Sequence, residues 1–210
     1  MGGPAAPAPM QGESIPAGAG QDEATPEEQA LYEQFIASVM DVIYPADKEG
    51  EVSPQILDDL QGNLDPEVLK MFESAEPPVS GTPQDAVAVV AVTLLILVDQ
   101  QQGVGAMMME GSEGGPDASA VMMESGRSIL EELIEVSEAA KIHDFTEEEI
   151  EGAVYRAMDL YRTAAETMNL PGFNKEALTA QFNELVEADK QGNLNSILPG
   201  LPGGQTMQEG

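Results

Sequence analysis

Apolar side chains recur at helical spacing along most of this chain, and recognisable helix starts punctuate them. Leu31, Phe35, Val39 and Val42 form one stripe, with Ile36 and Ile43 beside it. Ile129, Leu133, Val136 and Ala140 form a second, and Ile150, Val154, Ala157, Tyr161 and Ala164 a third. Recurrence at three and four positions places such residues on one side of an α-helix. Leu178, Phe182, Leu185 and Val186 predict a last helix that Gly192 can end. Shorter helices near 54–61 and 66–75 carry Ile56, Leu57, Leu60, Val68, Leu69 and Phe72.

The starts are more specific than the stripes. Thr25-Pro26, Ser53-Pro54, Asp65-Pro66 and Thr82-Pro83 each pair a side-chain oxygen with proline at the first helical position. The oxygen can accept from an orphan amide one turn on, and proline loses no needed donor there. Thr25–Glu28 and Thr146–Glu149 also have capping-box spacing. Asn174 before Lys175 is a weaker start. No segment alternates like a strand between hairpin signals. The pattern predicts an all-α protein, an irregular bundle of about seven helices.

Ala86 to Val98 is the most apolar segment, and it reads as a helix buried on all sides or as a buried strand. As a helix it spans only about 20 Å, whereas a bilayer core needs about 20 residues. Asp85 and Asp99 bracket it. The reading is a central core helix, with entry into a membrane or protein lumen after a conformational change as the alternative.

Residues 1–24, rich in Pro, Gly and Ala, predict a flexible arm. A helical domain follows over 25–190, its two halves joined by a Gly/Met-rich crossover near 103–118. Residues 191–210 read as a flexible tail, with Ile197, Leu198 and Leu201 as apolar beads. The shared start and spacing of Thr25–Tyr44 and Thr146–Ala165 hint at internal duplication, though capped amphipathic helices resemble one another in any case.

Composition narrows the function. The 210 residues include 38 Asp and Glu against 8 Lys and Arg, one His, no Cys and no Trp, for a net charge of −30. Such a chain lacks the clustered cations that displace counterions from nucleic acid, so no direct nucleic-acid binding is expected. Anionic membranes are disfavoured for the same reason. Self-repulsion and few aromatic anchors predict a thin core that gains stability from copies of itself or from a partner. The N-terminal segment has neither the basic nor the apolar region of a signal peptide, which points to a cytoplasmic site of synthesis.

Candidate chemistry is sparse. His143 follows a helix end, where it and Lys141 would complement the negative pole. A three-His metal centre is impossible, and the carboxylates lack a ligand frame. Glu187, Asp189, Gln191 and Gly192 imitate the opening of a calcium loop, but Leu198 falls where the bidentate Glu belongs. No cofactor is expected. Glu131, Glu132, Glu135 and Glu138 form an acidic stretch that reads as a solvated helix face or a docking surface for a basic partner. Met107, Met108, Met109, Met122 and Met123 gather near the crossover, as a loose core edge or a partner-adaptive patch. Arg156, Asp159, Arg162 and Glu166 alternate in sign like ordinary surface support.

From Gly126 the chain reads GRSILEELIEVSEAAKIHDFTEEEIEGAVYRAMDLYRTAAETMNLPGFNKEALTAQFNELVEADKQGNL. With the earlier TPEEQALYEQFIASVMDVIY, this resembles a group of small acidic proteins encoded beside the portal gene in tailed bacteriophages. HDFTEEEIEGAVYRAMDLYR and ADKQGNL carry most of the likeness, which rests on helix-surface patterns. The resemblance implies a non-enzymatic virion component at the portal, the head–tail vertex or the capsid interior, made in the host bacterial cytoplasm. Its partners would be further copies of itself, the portal or other virion proteins. Ejection with the genome is an alternative, and membrane contact is expected only then. Assembly scaffolding is a third role; known scaffolds often grip coat protein through a basic helical end, and here no Lys or Arg follows Lys190. An acidic regulatory protein that imitates DNA is the reading from a different class.

Overall fold

The computed structural model describes residues 25–48, 50–105 and 118–170, with Thr179, Asn183, Val186, Glu187 and Lys190 beyond them. The described residues are mostly helical, with no strands among them, so the all-α expectation holds. Six α-helices occur among them: α1 Pro26–Ile43, α2 Pro54–Leu60, α3 Pro66–Met71, α4 Pro83–Gln102, α5 Ala118–Ala139 and α6 Glu147–Met168. A 3₁₀ turn, Ala46–Lys48, follows α1. The expected last helix falls mainly outside the described residues, as do the arm, the tail and most of the crossover.

The helix starts lie where the sequence places them. Pro26, Pro54, Pro66 and Pro83 all open helices. Thr25 and Thr146 each complete a capping box, with Glu28 and Glu149 returning to the threonine amide at 2.7 and 2.9 Å. Thr82 and Asp65 accept from Asp85 and Glu67 amides. Ser53 departs from the expectation, since its side chain makes no cap hydrogen bond.

The apolar run between Asp85 and Asp99 is the middle of α4, a helix of 20 residues and so longer than that run. By length and composition α4 could cross a membrane, but most of it is buried against the other helices. One side, with Val87, Val90, Ala91, Leu94, Leu95 and Val98, meets Phe35, Val39 and Ile43 of α1 and Ile129 and Leu133 of α5 in the larger apolar cluster. The other, with Ala88, Val89, Val92 and Ile96, meets Leu160, Ala164 and Ala165 of α6 and Phe72 beyond α3. Each Val, Leu or Ile withdrawn from water this way contributes about 1.5–3 kcal/mol. α4 is therefore the shared wall of two cores, and the amphipathic helices enclose it.

Two helix pairs, α1 with α5 and α4 with α6, are also joined by buried or partly buried polar side chains. Tyr32 OH of α1 and Ser128 Oγ of α5 share a hydrogen bond at 2.8 Å. Tyr44, just past α1, donates to Glu132 of α5. Arg156 of α6 donates from Nε to Asp85 of α4 at 2.7 Å and from Nη2 to the Pro77 carbonyl at 2.7 Å. Arg156 is thus a partly buried clamp between helices as well as a member of the α6 charge ladder, its Nη1 lying 3.5 Å from Asp159 Oδ2, so surface support is only part of its role. Arg162, Asp159 and Glu166 do form a partly exposed ladder along α6.

Candidate partner-binding surface

The four glutamates singled out on α5 separate by their place on the helix. Glu135 and Glu138 are exposed. Glu131 is half-buried, 3.7 Å from Arg127. Glu132 is 4% exposed and accepts from Tyr44, so it is an internal helix link and not part of a docking face. Its position puts it one residue off the outward stripe, on the side that faces α1. Burial raises its pKa above the ordinary glutamate range, the Tyr44 hydrogen bond opposes the rise, and Glu135 adds to it. Tyr44 is raised as well, by burial and then by its bond to Glu132.

α5 ends in a Schellman turn. Ile142 N–H donates to the Ser137 carbonyl and Lys141 N–H to the Glu138 carbonyl, both at 2.9 Å. Lys141 takes the left-handed conformation, with φ 57°. His143 does not complement this end as expected. Its Nε2 lies 3.1 Å from Glu149 Oε1 in the first turn of α6, and its ring meets Phe145 edge-on at 4.7 Å. Ser137, the hydroxyl bonded to this residue, donates to the His143 carbonyl and not to the ring. The imidazole is therefore spent on fixing the α5–α6 turn, through the same glutamate that completes the Thr146 capping box.

This turn gathers exposed carboxylates. Glu135 and Glu138 approach it along α5, Asp144 lies within it, and Glu147 and Glu148 open α6. An open cleft of about 530 Å³ adjoins it, lined by Leu60, Gln61, Gly81, Pro83, Ala140, Lys141 and Ile142. The cleft was not legible in the sequence, since its walls come from three separate parts of the chain. Solvated carboxylates beside a recess suit electrostatic docking of a basic surface. Among the described residues, no three His, Asp or Glu are grouped to hold a metal ion.

The methionines also separate. Met122 is 5% exposed and belongs to the larger core, whereas Met123 is 39% exposed. Met122 is therefore core packing, which removes it from the expected adaptive patch. Met107, Met108 and Met109 lie outside the described residues.

No protein family, characterised protein or solved structure matches this chain.

Proposed function

We propose that this chain is a non-enzymatic structural protein of a tailed-bacteriophage virion, docked at the portal or head–tail vertex or inside the capsid. The observation that carries the reading is the concentration of exposed carboxylates at the α5–α6 turn, on a chain whose net charge is −30. A surface of this sign attracts a basic protein face and repels nucleic acid. The resemblance of residues 126–194 to portal-neighbouring phage proteins supplies the biological setting. Further copies of the chain, the portal or another virion protein are the partners proposed.

Ejection with the genome is the second reading, favoured by α4, which is long and apolar enough to enter a membrane once its neighbours part. Mass spectrometry of purified full particles, emptied particles and immature heads separates these roles. A vertex or capsid component is expected in full and emptied particles alike. Loss from emptied particles would favour ejection, and presence only in immature heads would favour scaffolding. Absence from every particle form would end the virion reading.

A further inference from the structure

Asp99 lies in the last turn of α4 and is 5% exposed. Gly103, left-handed with φ 73°, ends the helix, and two residues on, where the backbone is helical again, Gly105 N–H donates to Asp99 Oδ1 at 2.6 Å. Val104, held between these two points, is fully buried in the larger core. The Asp99 carboxyl is thus the clasp that keeps Val104 seated where the chain leaves α4.

The other buried aspartate of α4 shows what this clasp lacks. Asp85 accepts from the Ser80 amide and hydroxyl and from the Arg156 guanidinium, so its charge is matched. Asp99 has one amide donor and sits at the helix end where backbone carbonyls concentrate negative charge. The groups that face it do not compensate. Tyr161 of α6 is the titratable side chain that feels its charge, and burial with that charge pushes Tyr161 up to about 12. α1 meets this end of α4 through Gln102, which donates to Ser38 Oγ and the Gln34 carbonyl. The charged α5 side chains Glu124, Arg127, Glu131 and Glu132 act on Tyr32 and Tyr44 of α1 instead.

We propose that Asp99, Gly103, Val104 and Gly105 form a proton-operated clasp, closed when Asp99 is neutral and loosened when it ionises. An amide bond to a carboxylate is stronger than one to a neutral acid. One such bond does not offset taking the charge out of water, and burial accordingly raises the Asp99 pKa despite the Gly105 bond. The sign follows from proton linkage. The closed form binds the proton more tightly than the open form, so the clasp is fully stabilised below the ordinary aspartate value. That stability is lost as pH rises through the higher value of the closed form, by at most tenfold in the opening constant per pH unit.

Hydrogen exchange of the Val104 and Gly105 amides in the full-length chain, corrected for intrinsic rate, tests this from the ordinary aspartate value up to pH 7.5. The wild type should open more as pH rises. Asp99→Asn should stay at the protected, acid-side level throughout, and Glu132→Gln should keep the wild-type dependence. The same pH dependence in Asp99→Asn, its loss in Glu132→Gln, or a flat wild type would overturn the clasp. Should Asp99→Asn fail to fold, carboxyl carbon NMR of the wild type decides. A shared midpoint for Asp99 and the Gly105 amide above the ordinary aspartate value supports the clasp, and a midpoint at or below it refutes it.

Discussion

Arg156 and Asp85, separated by 71 positions in sequence, meet in the interior at 2.7 Å and tie the middle of α6 to the first turn of α4. The pair stands on a wider frame, since Ser80 holds the second Asp85 oxygen and the Pro77 carbonyl accepts from Nη2 of the guanidinium. Removing Arg156 would leave the largely buried Asp85 charge with the Ser80 donors alone. Arg156→Met should therefore cost about 3–5 kcal/mol, read from urea unfolding. Arg156→Met with Asp85→Asn should cost less than the two single changes added together. Additivity would mean that the pair is not coupled.

Stability should peak on the acid side of neutrality. Glu132, raised chiefly by burial, favours its proton in the folded state; the resulting stability is full below the ordinary glutamate value and fades as pH rises through the folded value. Asp85 has the opposite sign. Burial pushes its pKa up, but the Ser80 and Arg156 hydrogen bonds outweigh this and hold it low. Its contribution is present above the ordinary aspartate range and is lost as pH falls through the folded value. Unfolding midpoints at fixed ionic strength should rise from pH 7.5 towards 5 and fall again near pH 3. Glu132→Gln should reduce the upper limb and leave the part that Asp99 contributes, and a steady decline from 7.5 to 5 in the wild type would contradict the assignment.

The caps make a sharper comparison. Thr25→Ala and Thr146→Ala each remove an accepting oxygen from a complete capping box, at a cost of about 1 kcal/mol. Ser53→Ala occupies an equivalent sequence position but removes no cap hydrogen bond, so its unfolding midpoint should hardly move. Equal losses at all three sites would show that cap bonding is not the cause.

Lys141 is a side chain in a backbone conformation that glycine adopts without penalty. Lys141→Gly should stabilise the chain by about 1 kcal/mol in urea unfolding, the strain relieved outweighing the small attraction of a cation to a helix end. A loss of stability would place more weight on the lysine charge than on its backbone.

The helices were legible because their signals are local. Thr-Pro-Glu-Glu and Thr-Glu-Glu-Glu contain both halves of a cap within four residues, and the Phe35–Val39–Ile43 spacing reports a buried side directly. The polar interior was not legible, because its partners are distant in sequence. Glu132 looks like its exposed neighbours Glu131, Glu135 and Glu138 until Tyr44, 88 positions away, is seen to donate to it. Arg156 fits an alternating charge pattern with Asp159 and Arg162 equally well whether it faces solvent or Asp85. His143 was placed by its nearness to the end of α5, whereas a stronger partner waited in the first turn of α6. Met122 and Met123 are adjacent, and only the phase of α5 separates one inside from one outside.

The enclosure of α4 has a consequence for biosynthesis. Residues 83–102 emerge from the ribosome before α5 and α6 exist to sheathe them, and the α6 surfaces that close the second core follow on the order of several seconds later, at about 5–20 residues per second. During that interval the nascent chain displays a greasy rod with the dimensions of a membrane anchor. Chaperones or the insertion machinery of the cell that makes it would meet it in that form, and α6 must arrive in time to reclaim it.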